Sequence, residues 1–212
     1  FEIVLHLGSR ESQSSFIFIL FLRQKIMSVT VAEEGNRRTG DMTSAEAAQC
    51  TFDIKAWFAR TPCAKLFQQP ASSVDFQRLE KTIDTPMPST LKLLLNEVGN
   101  GGIYFMDRKL MSTDEIGDCV SSFDREQNWK RGLIPFAGDG ETLYVIDTTR
   151  GEEVYEWDAA DGLADLVSPN LCRFLEDYRN NLLSGRFEYL EDIGVVEKMG
   201  GGGAPAPQAS RK

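Results

Sequence analysis

The chain has 212 residues, 42% of them hydrophobic and 26% charged, which is enough for one ordinary domain with tails. Its formal charge is -9 and unevenly spread: from Gly138 to Ile193 there are 14 Asp or Glu against 4 Arg and no Lys, a balance of -10 that leaves +1 for the remainder. So acidic a half repels phosphate backbones, which disfavours nucleic acid as its ligand and favours a protein partner with a basic surface.

Phe1 to Ile26 contains the apolar cluster Phe16 to Leu22, far short of the roughly 20 residues that span a bilayer, so no membrane association is expected. The cations Arg23 and Lys25 follow that cluster, the reverse of a signal peptide. Translation is expected to start at Met27 or Met42, and residues 1–42 read as a disordered or mis-annotated extension. The folded domain is expected over residues 43–196, followed by a disordered Gly/Ala/Pro tail at 197–212.

Thr43 with Glu46 forms a capping box that opens a helix running to Pro62. A second helix follows Ser72, with Phe76, Leu79 and Ile83 on one face. Pro88 opens a third, in which Leu91, Leu94, Leu95 and Val98 form a single stripe, and Gly99 ends it. Ile103 to Phe105 reads as a short strand. Ser112 with Glu115 caps a fourth helix carrying Ile116, Val120 and Phe123.

Beyond Trp129 the pattern changes to strands: Leu133 to Ala137, Thr142 to Ile146 and Glu153 to Trp157 predict a three-stranded antiparallel meander. Its middle strand is apolar on both faces and is expected to be covered on both. The segment from Trp157 to Ser168 reads as an acidic loop, and Ser168-Pro169 as the start of a last helix with Leu171, Phe174, Leu175, Tyr178 and Leu182 facing the sheet. The fold class is α+β: a single domain with helices packed on one antiparallel sheet.

The four cysteines, Cys50, Cys63, Cys119 and Cys172, contain no Cys-x-x-Cys pair and read as reduced core thiols of a cytoplasmic protein; no metal or cofactor is expected. His6, the only histidine, lies in the N-terminal stretch, which removes the usual base for a Ser or Cys nucleophile. The glycine clusters around Gly101-Gly102 and Gly138-Asp139-Gly140 follow a helix or join two strands, the wrong order for a phosphate cradle. They read as turns that define the fold, as does Asp147 at the end of its strand, and Asp139 is expected to bond turn N–H groups. The partner-binding candidates are Trp129, Glu153, Tyr155, Trp157, Asp158 and Asp161. Large amphipathic aromatics supply much of the free energy at interfaces, and Tyr155 and Trp157 share a strand face with Glu153, a sign of exposure. For Trp129 a core plug at the helix-to-strand junction is the favoured alternative.

These pieces in their order, Pro88-Ser-Thr-Leu-Lys-Leu-Leu-Leu95, Asn100-Gly101-Gly102, Trp129, Ile134-Pro135-Phe136-Ala137, Gly138-Asp139-Gly140, Leu143-Tyr144-Val145-Ile146-Asp147, Val154 and the Ser168 helix, resemble the SUKH superfamily, the Smi/Knr-like cell-wall-assembly-regulator domain. The resemblance runs from about Ser72 to Gly185. It departs at Glu141, where the family often has Asn or Asp, and in the acidic segment after Trp157. It implies a non-catalytic domain that binds other proteins: regulators of fungal cell-wall assembly, bacterial toxin-neutralising immunity proteins, and accessory subunits such as those of tubulin-glutamylating complexes. The expected function is thus a regulatory or accessory protein-binding module acting through an acidic surface that contains aromatics. The alternative is a small hydrolase using Asp139 or Glu141.

Overall fold

The computed structural model describes residues 44–123, 128–138 and 142–198. The extension expected over 1–42, the Thr43 cap, residues 199–212 of the tail expected over 197–212 and the turn residues Asp139, Gly140 and Glu141 lie outside the described residues, whereas Glu197 ends a strand and Lys198 N–H donates to Arg186 O. The chain divides into two units, Phe1–Ala45 and Glu46–Lys212, and the architecture below is that of the second.

Helix α1, Ser44–Phe58, buries Ala47, Cys50, Thr51, Ile54 and Phe58, the three-and-four spacing of one helical face. A 3-10 turn, Pro62–Leu66, follows it, with the Thr61 hydroxyl accepting from the Cys63 N–H. Helix α2, Ser73–Ile83, opens on a reciprocal capping box: Asp75 N–H donates to Ser72 Oγ at 3.3 Å and Ser72 N–H to Asp75 Oδ2 at 2.8 Å. Helix α3, Ser89–Glu97, follows Pro88 and buries Leu91, Leu94, Leu95 and the adjoining Val98 to 1% exposure or less. Gly102, at φ +95°, lets the chain turn against Leu66, whose carbonyl oxygen lies only 2.2 Å from where a Cβ would stand. Asn100 ties this turn to the next helix, its Oδ1 accepting from Thr113 N–H at 2.8 Å.

Strands β1, Tyr104–Phe105, and β2, Arg108–Leu110, lead into helix α4, Thr113–Phe123. The box expected at its start is present: Ser112 N–H donates to Glu115 Oε2 at 2.6 Å, and Glu115 N–H to Ser112 Oγ at 3.2 Å. Then come β3, Leu133–Gly138; β4, Thr142–Asp147; β5, Glu153–Asp158; and β6, Gly162–Ser168. All six strands pair antiparallel in chain order, so the expected meander is the centre of a larger sheet. The acidic loop expected after Trp157 is largely β6. Its Ala164, Asp165, Leu166 and Val167 are all exposed, so this edge strand lacks the alternation by which a half-buried strand is recognised. Ser168 is not the helix cap: it closes β6 opposite Val154, and Asn170 caps helix α5, Leu171–Leu183, accepting from Arg173 N–H at 2.8 Å.

β4 is buried on both faces, as expected. On one face Leu133, Leu143, Val145, Tyr155 and Trp157 pack under Cys119 and Phe123 of α4. On the other, Phe174 and Tyr178 of α5 lie among Phe105, Phe136 and Tyr144, with ring centroids 5.0–5.5 Å apart between Phe105 and each of the two α5 rings and between Phe174 and Phe136. Arg108 is buried beside this cluster, its guanidinium 4.1 Å from the Tyr144 ring centre and 2.7 Å from Glu156 Oε1. A separate hairpin, β7 Phe187–Leu190 with β8 Gly194–Glu197, follows α5 and meets the first: Val195 N–H donates to Met106 O at 2.8 Å. The described residues thus form an α+β domain with five α-helices and a six-stranded antiparallel sheet.

Candidate functional site

The expected exposed aromatic face is not on the surface. Trp157 is 0% exposed and Tyr155 9%, both in the core beneath α4. Trp129 is half-buried at the edge of that core, stacked on Phe123 at 5.6 Å and edge-on to Trp157 at 5.2 Å, as the core-plug reading expected. The Trp157 indole N–H is directed at Asn128 O, 3.4 Å away. Glu153 misled because it stands at the very start of β5, where the strand reaches solvent, and its carboxylate accepts the Tyr155 hydroxyl.

The expected carboxylates do not form one patch either. Glu153 and Asp158 stand at opposite ends of β5, about 17 Å apart along an extended strand. Asp158 Oδ1 accepts the N–H groups of Ala160 and Asp161 at 2.7 and 3.0 Å and so builds the β5–β6 turn. Asp147 accepts from Thr149 N–H at 2.9 Å. Asp161 is exposed in the β5–β6 turn. The hydrolase carboxylates Asp139 and Glu141 lie outside the described residues, as does Gly140.

A different site is built from residues that no motif marked. A groove of about 690 Å³ opens between α4, the β1–β2 turn, the adjoining ends of β3 and β4 and the β7–β8 turn. Its apolar wall comprises Met111, Cys119, Phe123 and Leu143; Asp107, Glu115, Asp118 and Asp192 bring four carboxylates to it, and Lys109 one ammonium. From α4, Glu115, Asp118, Cys119, Ser122 and Phe123 fall at i, i+3, i+4, i+7 and i+8, so one helical stripe supplies both the polar rim and part of the floor. Of the four carboxylates only Glu115 is engaged, in its capping box. The carboxylates of Asp107, Asp118 and Asp192 make no hydrogen bond or ion pair among the described residues.

Chemically the groove offers cation-attracting oxygens rather than a nucleophile and its base. Burial pushes the Cys119 thiol up to about 11, so it is protonated at neutral pH, and the groove contains no histidine. Among the described residues no three His, Cys, Asp or Glu side chains come close enough to hold a metal ion, so the rim carboxylates stand apart along the groove. The residues are far apart in sequence, two of them in hairpin turns and one on a helix. The only signal was that each is an acid in or beside a short turn or on a helix face shared with Phe123.

The class that this architecture defines is an α+β domain whose antiparallel sheet is sandwiched between helices, with an open acidic groove along one of them. The sequence model of the family SUKH_5, SMI1-KNR4 cell-wall, matches residues 60–180, from the 3-10 turn through β1 to β6 and into α5. The chain belongs to this SUKH family. Among the described residues no helix is long and apolar enough to cross a membrane.

Proposed function

We propose that this chain is a non-catalytic, protein-binding module of regulatory or accessory kind, and that its acidic groove engages a basic segment of the partner. The observation that carries this reading is the pairing of three carboxylates that make no hydrogen bond or ion pair among the described residues, Asp107, Asp118 and Asp192, with the apolar wall of Met111, Cys119, Phe123 and Leu143. Apolar surface bordered by four carboxylates and one ammonium suits a basic partner: burial supplies affinity and the net negative charge supplies steering and register. Family membership supports the reading, because the SUKH resemblance implies partner-binding domains.

The test is affinity capture followed by measurement of the purified pair, using the full chain and its Asp118→Lys/Asp192→Asn variant at low and at moderate salt. Neither side chain makes a hydrogen bond or ion pair among the described residues, and asparagine tolerates the left-handed backbone of Asp192, so the variant is expected to keep its fold and lose the partner, while the parent complex weakens as salt rises. Capture of the same partner by both proteins with equal, salt-independent affinity would overturn the reading.

A further inference from the structure

The groove has a shape and polarity that narrow what enters it, and we infer that it is a pocket for a lysine or arginine side chain, recognised by its aliphatic stem as well as its charge. This rests on the protein-binding reading above and names the group that the groove reads. A ligand lying along the groove meets the partly exposed Met111, Cys119 and Phe123, backed by buried Leu143, with one part and Asp107, Asp118 and Asp192 with another. Long basic side chains satisfy both, laying methylenes on apolar surface while the charged head stays among polar groups.

Other occupants fit poorly. A wholly apolar side chain would cover the floor but strip water from the carboxylates of Asp107, Asp118 and Asp192, which bond to no described residue, at a cost that the contact does not return. An anionic group meets four carboxylates against one ammonium. A metal ion needs ligands converging on a point, and the rim acids do not converge. The volume, about 690 Å³, lies within the roughly 300–1,000 Å³ typical of ligand pockets and leaves room for the side chain with its flanking backbone. The neutral Cys119 thiol adds no charge to the wall.

The probes are four capped pentapeptides, Gly-Gly-Xaa-Gly-Gly, titrated into the isotope-labelled full chain by NMR, with Xaa lysine, arginine, norleucine or 2,4-diaminobutyrate. Lysine and arginine are expected to shift the resonances of Met111, Cys119, Phe123 and Asp118. Norleucine keeps the stem but lacks the charge, and should bind roughly ten-fold or more weakly than lysine. Diaminobutyrate keeps the charge but is two methylenes shorter, and should bind weaker by up to roughly ten-fold.

The triple variant Asp107→Asn, Asp118→Asn, Asp192→Asn should keep its spectrum elsewhere and lose the lysine peptide. None of the three side chains bonds to another described residue, and asparagine tolerates the left-handed backbone of Asp192, φ +66°. Equal binding of all four peptides, shifts confined to residues away from the groove, undiminished binding to the triple variant, or no binding by either basic peptide would each overturn the pocket. If diaminobutyrate matches lysine, the stem is not read and the pocket inference falls, whereas the wider reading falls only if partner capture ignores salt and the groove charges.

Discussion

Replacing Trp157 by alanine tests whether the aromatics of β5 belong to the core or to an interface. The side chain is 0% exposed and closes against Phe123 at 4.5 Å and Trp129 at 5.2 Å. Removing about 200 Å² of buried surface at about 25 cal/mol per Å² gives about 5 kcal/mol as an upper bound, and buried Trp→Ala replacements cost about 3–5 kcal/mol. Against a total stability of about 5–15 kcal/mol, such a loss leaves the protein marginal or unfolded. Trp129→Ala, at a half-buried ring, should cost about half as much. Urea unfolding followed by far-ultraviolet circular dichroism avoids relying on the removed fluorophore. With a slope near 2 kcal/mol per M, Trp157→Ala should move the midpoint down by about 2 M. A Trp157→Ala protein that keeps its midpoint within about 0.5 M of the parent while losing its partner would refute the core assignment and restore an aromatic interface.

Two further outcomes follow from local geometry. Glu80 accepts from Lys92 Nζ at 2.7 Å and from Met87 N–H at 2.9 Å, and these bonds, the Lys92 one foremost, hold its carboxyl below the usual glutamate range. The folded chain therefore binds that proton more weakly than the unfolded chain: the contribution is present above the unfolded value and is lost as pH falls through the depressed one. Stability measured from about pH 6 down to about pH 3 should fall less steeply in Glu80→Gln, and parallel curves would contradict the assignment. Gly102→Ala combines a left-handed backbone with a Cβ set 2.2 Å from the Leu66 carbonyl oxygen, for a cost of about 2–5 kcal/mol. Gly151→Ala, at φ +78° with nothing within 4 Å, should cost only about 1 kcal/mol, and thermal melts that reverse this order would show the 99–102 turn to be misplaced.

The helices were legible because their signals are local. Ser112 with Glu115 forms the expected box, and the Leu91-Leu94-Leu95-Val98 stripe is buried as its spacing implies. The central strands were legible because a strand covered on both faces reads as an apolar run, as Leu133 to Ala137 and Leu143 to Ile146 do. The sheet margins were not. β1 and β2 have two and three residues, and the turn between them rests on Met106 at φ +60°, where no glycine announces it. β6 exposes Leu166 and Val167 at 54% and 40%, so its apolar residues carry no burial pattern, and in the Ser168-Pro169-Asn170 run two equally good caps compete. The acidity of the second half was plain in the sequence, but its location was not. Nothing local distinguishes Asp158, whose carboxylate accepts two backbone N–H groups, from Asp192, whose carboxylate accepts none among the described residues.

That distinction governs how charge reversal must be read in this domain. Replacing Asp158 by lysine removes the acceptor of the Ala160 and Asp161 N–H groups, so a lost partner could reflect a loosened β5–β6 turn rather than a lost contact. Glu153, holding the Tyr155 hydroxyl, and Glu156, paired with buried Arg108, carry the same ambiguity. Asp165 does not: it is exposed on β6, away from the groove lining, with no ion pair among the described residues. Asp165→Lys changes the net charge by the same amount as Asp118→Lys and therefore perturbs long-range steering about equally, a term that salt screens over a Debye length of about 8–10 Å. A contact made in the groove adds to that shared term a slower dissociation that only the Asp118 reversal abolishes. Comparing the two single reversals at moderate salt, where steering is largely screened, thus separates an acidic protein that merely attracts cations from one that holds a basic side chain in place.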